Sequence, residues 1–159
     1  MSKKIVYWDS NAFLCLINKN NKEEQNTMCE AVWEAANMGH LHIVTSALST
    51  AEVIYMKGTP KLDPTKRIFV ANFFRQDRLS QKSVTRMIAE LARDVVWDSA
   101  IMPKDATHIA TAIMYKVPEF QTYDQKLLNL KNMNVNGFQL NICEPHHSHQ
   151  LPLIEGFNS

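Results

Sequence analysis

Four acidic residues are the side chains of this sequence best placed to do chemistry, because each follows a predicted strand or lies at a predicted helix. Asp9 and Asp124 each come directly after a β-branched or aromatic run, Asp105 opens the most apolar helical stretch, and Glu52 lies in a short predicted helix. Carboxylates that lie close together raise one another's pKa and need a compensating cation. Hard divalent cations such as Mg²⁺ and Mn²⁺ bind carboxylate oxygens and activate water for attack at phosphorus.

Each acid also has a purely structural interpretation when it is taken alone. Asp is a favoured helix N-cap, so Asp9 and Asp105 could simply begin helices, and Asp124 could be a turn residue. Glu52 fits that interpretation less well, because it lies in an Ala-Glu-Val-Ile run without an obvious lysine partner. The four acids together favour a metal site.

The sequence around the acids predicts elements that would bring them to one edge of a sheet. Strands are predicted at residues 4–8, 41–45, 119–122 and 138–143. Helices are predicted from residue 12, over 23–38, from 46 or 49 to 55, and over 65–75, 81–92, 106–115 and 124–130. Residues 95–97 could be a strand or the end of a helix. This alternation favours a parallel sheet covered on both faces, in which ligands bind beyond the carboxyl ends of the strands.

Length and composition indicate one soluble domain rather than a membrane or disulfide-stabilised protein. The chain has 159 residues, 45% of them hydrophobic, and we predict a domain at 1–145 with a tail at 146–159. No stretch approaches the roughly 20 apolar residues of a membrane helix. Three cysteines at unrelated spacings are interpreted as buried thiols in a reducing compartment, so we expect a cytoplasmic protein without a membrane partner.

The charge distribution leaves two interpretations open. The net charge is only +1, yet residues 57–94 hold nine basic and four acidic side chains, a local net charge of +5. Such a segment could follow the phosphates of a nucleic acid, or it could consist of ordinary solvated helices.

Four stretches of the sequence carry a resemblance to a known family: residues 6–14, 46–53, 103–112 and 120–128. In their order, and with 43, 53 and 19 residues between successive acids, they resemble the PIN-domain nucleases. Within that family they resemble the VapC-type toxins of bacterial and archaeal toxin–antitoxin pairs. The resemblance covers about residues 4–145.

The resemblance implies a fold and an activity. The fold is a Rossmann-like three-layer α/β/α sandwich with a parallel sheet of about five strands. The activity is Mg²⁺- or Mn²⁺-dependent endonucleolytic hydrolysis of RNA phosphodiester bonds. By position, the four family acids correspond to Asp9, Glu52, Asp105 and Asp124, and the supporting polar residues to Ser10, Asn11 and Thr122.

We hypothesise a role for each matched residue. Asp9 and Asp105 ligate the metal directly, and Asp124 does so directly or through water. Glu52 orients or deprotonates the attacking water. Thr122 and Asn11 hold the carboxylates in place.

The partners and two alternative functions follow from the same resemblance. The partners would be RNA, an antitoxin protein and a second copy of the chain as a homodimer. One alternative is a PIN nuclease that processes RNA or acts on DNA, and the other is a PIN-like module that binds RNA or protein without cleavage.

The sequence favours structural interpretations for the histidines. His108 lies on the same helix face as Asp105, but a packed, hydrogen-bonded core histidine is favoured over a site residue. His146, His147 and His149 suggest a metal site, but a flexible tail is favoured because no partner cysteines at ligand spacing are recognised.

Overall fold

A six-stranded sheet runs through the middle of the molecule, whose computed structural model describes residues 3–18, 23–54 and 60–147. In that part of the chain the strands are β1 (Lys4–Trp8), β2 (Leu41–Ser46), β3 (Leu79–Lys82), β4 (Glu119–Gln121), β5 (Asn132–Val135) and β6 (Phe138–Cys143). Their order across the sheet is β3-β2-β1-β4-β6-β5. All neighbours are parallel except β5, which runs antiparallel to β6.

Helices cover both faces of this sheet and give the fold three layers. They are α1 (Ser10–Ile17), α2 (Glu23–Asn37), α3 (Leu48–Glu52), α4 (Arg67–Phe73), α5 (Arg86–Asp98), α6 (Pro103–Met114) and α7 (Gln125–Leu128). Val6 and Trp8 pack with α1, α2 and α4 on one face, while Tyr7 packs with α5 and α6 on the other. Successive strand residues point to opposite faces, so a strand buried on both sides is apolar throughout.

The order of the strands reverses at β1, and this position determines where a ligand can bind. The chain moves from β1 to β2 and β3 on one side, and later returns to place β4 on the other side of β1. After β1 the chain continues to β2 on one side, and after the adjacent β4 it continues to β5 and β6 on the other side, so a crevice opens at the carboxyl ends of β1 and β4. Asp9 is the first residue after β1.

The predicted three-layer α/β/α sandwich is confirmed, with six strands where a parallel sheet of about five was predicted, and with β5 antiparallel. Two of the six, β3 and β5, are added to the strands predicted along the chain. Residues 79–82 form the parallel edge strand β3, although residues 81 and 82 were predicted to begin a helix over 81–92. The helix begins later, at Arg86, where the Thr85 side chain accepts a hydrogen bond from the Ile88 amide, and it continues through residues 95–97 to Asp98. The prediction failed because an edge strand in contact with solvent lacks a continuous apolar run.

The other added strand, β5, forms a hairpin with β6. Asn136 and Gly137 connect them, both with positive φ (51° and 82°). A two-residue Asn-Gly turn is the usual sequence signal for such a hairpin, and it is present in this sequence.

Parts of the sequence predictions lie outside the described residues. These parts include residues 1–2 and 19–22 of the predicted domain, residue 55 at the end of the short predicted helix, residues 57–59 of the basic segment, and residues 148–159 of the predicted tail. Within the described part of the chain, no helix combines the length and the apolar character needed to cross a membrane.

Candidate active site

Asp9 is buried at the carboxyl end of β1, where its carboxylate performs a structural task. Its Oδ1 accepts a hydrogen bond from the Ala12 amide (3.1 Å) and so caps the N-terminus of α1. Its Oδ2 accepts one from the Thr122 hydroxyl (2.7 Å). The structural interpretation of Asp9 as an N-cap is therefore correct, but it accounts for only one of the two carboxylate oxygens.

All four predicted acids line one open cleft of about 840 Å³ at this edge of the sheet. Asp105 reaches it from the first turn of α6, Glu52 from the end of α3, and Asp124 from the N-cap of α7. The cleft is lined by Asp9, Ser10, Asn11, Leu14, Leu48, Ala51, Glu52, Lys104, Asp105 and Asp124. Residues that lie far apart in the sequence thus meet where the strand order reverses.

Thr122 connects two of the acids. Its buried hydroxyl donates to Asp9 and accepts from the Asp124 backbone amide (3.0 Å). The Asp124 carboxylate in turn accepts from the Lys126 amide (2.9 Å) at the start of α7. One hydroxyl group therefore fixes the Asp9 side chain and the backbone that carries Asp124.

The two polar residues after Asp9 occupy different positions. Asn11 accepts a hydrogen bond from the Tyr123 amide (3.1 Å), so it ties α1 to the segment after β4. Ser10 is the first residue of α1 and lines the cleft. Thr122 and Asn11 both hold the segment that carries Asp124, and Thr122 also holds the Asp9 carboxylate directly.

The electrostatics of the cleft disfavour ionised carboxylates at two positions. Burial raises the pKa of Asp9 to about 6, although His108 and the hydrogen bonds from Thr122 and Ala12 act in the opposite direction. Burial, and next the charge of Asp124, raise the pKa of Asp105. A bound cation would remove this penalty, because it favours the charged form of every nearby carboxylate.

Glu52 differs from the other acids because two cationic or donor groups contact it. Burial acts to raise its pKa, but the hydrogen bond from His108 Nε2 (2.6 Å) and the Lys104 ammonium (3.6 Å) outweigh burial and lower it. The other ring nitrogen of His108, Nδ1, is 2.7 Å from the Tyr7 hydroxyl. Burial raises the pKa of Tyr7 well above its ordinary value, so this hydroxyl remains protonated and donates to His108.

His108 is thus both a packed core histidine and a neighbour of the site. It is 1% exposed, as predicted for a core residue, yet its Nε2–H is directed at the Glu52 carboxylate. Lys104 supplies the lysine partner of Glu52 that the local sequence lacks. No local pattern could have identified these contacts, because Glu52 is 52 and 56 residues away from the two partners.

A comparison by sequence shows the family. Residues 6–132 match the PIN domain family, and no curated protein matches the chain. The chain belongs to the PIN domain family. The resemblance drawn from the four sequence stretches is therefore confirmed.

Solved structures of the same fold include known toxins. VapC20 of Mycobacterium tuberculosis, described as a toxin that cleaves the sarcin–ricin loop, has a TM-score of 0.62 at 13% identity over 79% of this chain and 94% of that one. VapBC2 of Rickettsia felis, bound to a DNA fragment from its promoter, gives 0.57 at 17% identity over 87% and 96%. A toxin–antitoxin complex of Klebsiella pneumoniae gives 0.55 at 17% identity over 89% and 98%. At these identities, the likeness establishes the PIN fold.

The side chains that line the PIN-domain cleft suit a hard divalent cation. The acids that approach it offer only oxygen donors, which Mg²⁺ and Mn²⁺ prefer over nitrogen and sulfur. Among the described residues lining the cleft, Lys104 is the one lysine or arginine, and it contacts Glu52. Asp9, Asp105 and Asp124 therefore have negative charge that no basic side chain of the lining neutralises by contact.

Proposed function

We propose that this PIN-domain protein is a metal-dependent endoribonuclease that hydrolyses RNA phosphodiester bonds, and that it is the toxin of a toxin–antitoxin pair. The observation that carries the proposal is the meeting of Asp9, Glu52, Asp105 and Asp124 in one open cleft at the switch point of the sheet. The proposed nuclease domain, residues 1–145, includes the matched range 6–132.

Three of the acids are the proposed metal ligands. Asp9 and Asp105 would bind Mg²⁺ or Mn²⁺ directly, and Asp124 directly or through water. When bound, the ion would neutralise phosphate charge and make water a better nucleophile. Thr122 holds the Asp9 carboxylate in place, and Asn11 holds the backbone that leads to Asp124, so the ligands are positioned before the ion arrives.

Glu52 is the proposed residue for positioning the attacking water. Its pKa is lowered by His108 and Lys104, so it stays ionised and serves better as a hydrogen-bond acceptor that orients water than as a strong base. The Lys104 side chain is largely exposed at the rim of the cleft, where its ammonium can contact a phosphate of the substrate. The Glu52 carboxylate and the Lys104 ammonium would thus contact the water and the phosphate respectively.

Replacing a metal ligand tests the nuclease proposal. In the variants Asp9→Asn and Asp105→Asn, we expect Mg²⁺-dependent cleavage of single-stranded RNA to fall by about 100-fold or more, because ligand charge is lost. Asp77→Asn is the matched control, since Asp77 is exposed and outside the cleft, and it should cleave like the parent protein. Cleavage rates and circular dichroism spectra should be measured for all three.

Two results of the same assay would contradict the proposal. Undiminished cleavage by Asp9→Asn would exclude this cleft as the active site. RNA binding without cleavage, insensitive to Mg²⁺ and Mn²⁺, would instead favour a binding module. A matched single-stranded DNA should also be assayed, because attack by water does not use the ribose 2′-hydroxyl and a nuclease acting on DNA would be detected there.

The toxin role rests on the likeness to VapC20 and to VapBC2, and it requires an antitoxin partner in the cytoplasm. A homodimer of the toxin is part of the same proposal. We expect the product of a small gene next to the gene for this chain to bind it and to suppress RNA cleavage when the two are co-purified. A purified complex that cleaves RNA as fast as the isolated chain would contradict the toxin role and leave the nuclease proposal intact.

A further inference from the structure

A second group of potential metal ligands lies on β4 and β6, away from the acidic cleft. Glu119 is the first residue of β4, Cys143 is the last residue of β6, and His146 follows three residues later. Gln121 pairs with Cys143 across the two parallel strands, and Glu119 is two residues before Gln121, so all three strand side chains share one face of the sheet. None of the three potential ligands lines the acidic cleft.

The donor atoms of this group are already at the spacing of a metal site. Glu119 Oε1 is 3.1 Å from His146 Nε2 and 3.7 Å from Cys143 Sγ, and all three donor atoms lie within 4.8 Å of one another. With metal–ligand bonds of about 2.0–2.3 Å, the ligand atoms of a tetrahedral zinc site are roughly 3.3–3.8 Å apart. An ion could therefore enter with small side-chain movements.

Neighbouring groups hold the ligands in this arrangement. The Gln121 amide donates to Glu119 Oε1 (2.8 Å) and to the His146 backbone carbonyl (3.1 Å), and its own oxygen accepts from the Trp8 indole (2.8 Å). Lys4 contacts the second carboxylate oxygen of Glu119, Oε2, at 3.2 Å. Glu119 therefore directs Oε1 at Cys143 and His146, while Lys4 contacts Oε2.

The chemistry of the donors selects the class of ion. A thiolate and an imidazole are softer ligands than the oxygens of the acidic cleft and favour Zn²⁺ over Mg²⁺. A thiolate and a carboxylate together carry two negative charges and neutralise a divalent ion. Cys143 also lies three residues before His146, a short spacing that favours a shared ligand site over the flexible tail predicted for His146.

We propose that Glu119, Cys143 and His146 form a zinc site, with a fourth position open to water, that fastens the segment after β6 to the sheet. As the ion binds, the Cys143 thiol releases its proton to water, and His146 carries its proton on Nδ1, so that Nε2 is free to bind the ion. The hydrogen bonds that His146 and Cys143 make to Glu119 are then replaced by bonds from all three side chains to the ion.

Cobalt titration of the untagged, reduced full-length protein tests the site, because Co²⁺ substitutes for Zn²⁺ and reports thiolate ligation optically. We expect one equivalent of Co²⁺ to give a thiolate-to-metal charge-transfer band and the visible bands of four-coordinate Co²⁺, and Zn²⁺ to displace it. Cys143→Ser should lose the charge-transfer band. Glu119→Gln and His146→Ala should weaken Co²⁺ binding by about tenfold or more.

Glu144→Gln is the matched control, because Glu144 lies in the same segment and is exposed, and it should bind Co²⁺ like the parent protein. His146→Ala changes a side chain that is 45% exposed, so it tests the site even if Cys143→Ser fails to fold. The proposal is overturned if the charge-transfer band persists in Cys143→Ser, or if Glu119→Gln and His146→Ala both bind Co²⁺ with parental affinity. It is also overturned if excess Mg²⁺ displaces Co²⁺, because that result would locate the bound Co²⁺ in the acidic cleft.

Discussion

Thr122 shows how one hydroxyl group can organise two carboxylates. It donates to the Asp9 carboxylate and accepts from the Asp124 amide, while its surroundings exclude water. A buried donor or acceptor that loses its partner costs free energy, so neither group can give up Thr122 without penalty. The positions of the two acids therefore depend on each other through a residue that need not touch the metal.

Replacing Thr122 tests this arrangement. Thr122→Val keeps the shape of the side chain but removes the hydroxyl, so we expect RNA cleavage to fall about 10- to 100-fold and the Mg²⁺ concentration for half-maximal activity to rise. The free energy of unfolding, measured with urea, should fall by about 1–3 kcal/mol. Thr122→Ser keeps the hydroxyl and should recover most of the activity. Cleavage by Thr122→Val at the parental rate and Mg²⁺ requirement would contradict this role.

The ends of the secondary-structure elements, rather than their middles, carry the candidate active site. Asp9 caps α1, and Asp105 lies in the first turn of α6, where unpaired backbone N–H groups give the helix a partial positive charge. At the end of β2, Thr45 donates to the Trp8 carbonyl (2.6 Å) and lies 2.7 Å from the Ser49 hydroxyl in α3. These bonds fix α3, and with it Glu52, relative to β1.

The start of α5 is an element boundary on which sequence and structure disagree, and one substitution distinguishes the two boundaries. In the structure Thr85 is the N-cap of α5, so Thr85→Ala should lower the free energy of unfolding by about 1 kcal/mol without changing RNA cleavage. If the helix instead began at residue 81, Thr85 would be internal, and alanine would be neutral or stabilising. Urea unfolding of Thr85→Ala, compared with the parent protein, decides between the two boundaries.

At the scale of the whole molecule, the sequence predicted the buried part of the fold and the convergence of the acids. The strands β1, β2, β4 and β6 were recognised from their apolar or β-branched runs, and the acids were located from the ends of these strands and the starts of the helices. The edge strands β3 and β5 were missed because their sequences, Leu-Ser-Gln-Lys and Asn-Met-Asn-Val, are short and contain no continuous apolar run. Contacts between distant residues, such as Glu52 with Lys104 and Tyr7 with His108, have no local signature at all.

Because the acids come from four different elements, bound metal should stabilise the molecule as a whole. An ion that binds only the folded state adds about 2.7 kcal/mol to the free energy of unfolding at a free concentration one hundred times its Kd. We therefore expect Mg²⁺ to raise the midpoint of thermal unfolding by several degrees in the parent protein and in Asp77→Asn. Asp105→Asn should show little or none of this shift, and an equal shift in that variant would show that Mg²⁺ binds elsewhere.

The position of β4 beside β1 has a consequence for how the protein is made. Asp9, the first cleft residue in the sequence, is translated early. Thr122, whose hydroxyl holds the Asp9 carboxylate, and Asp124, the last acid, are translated much later. A polypeptide that is still being translated, or one cut short by a stalled ribosome before that point, has no complete cleft. Under the proposed function, the cell is therefore exposed to a working nuclease only after the codons for β4 and Asp124 have been translated.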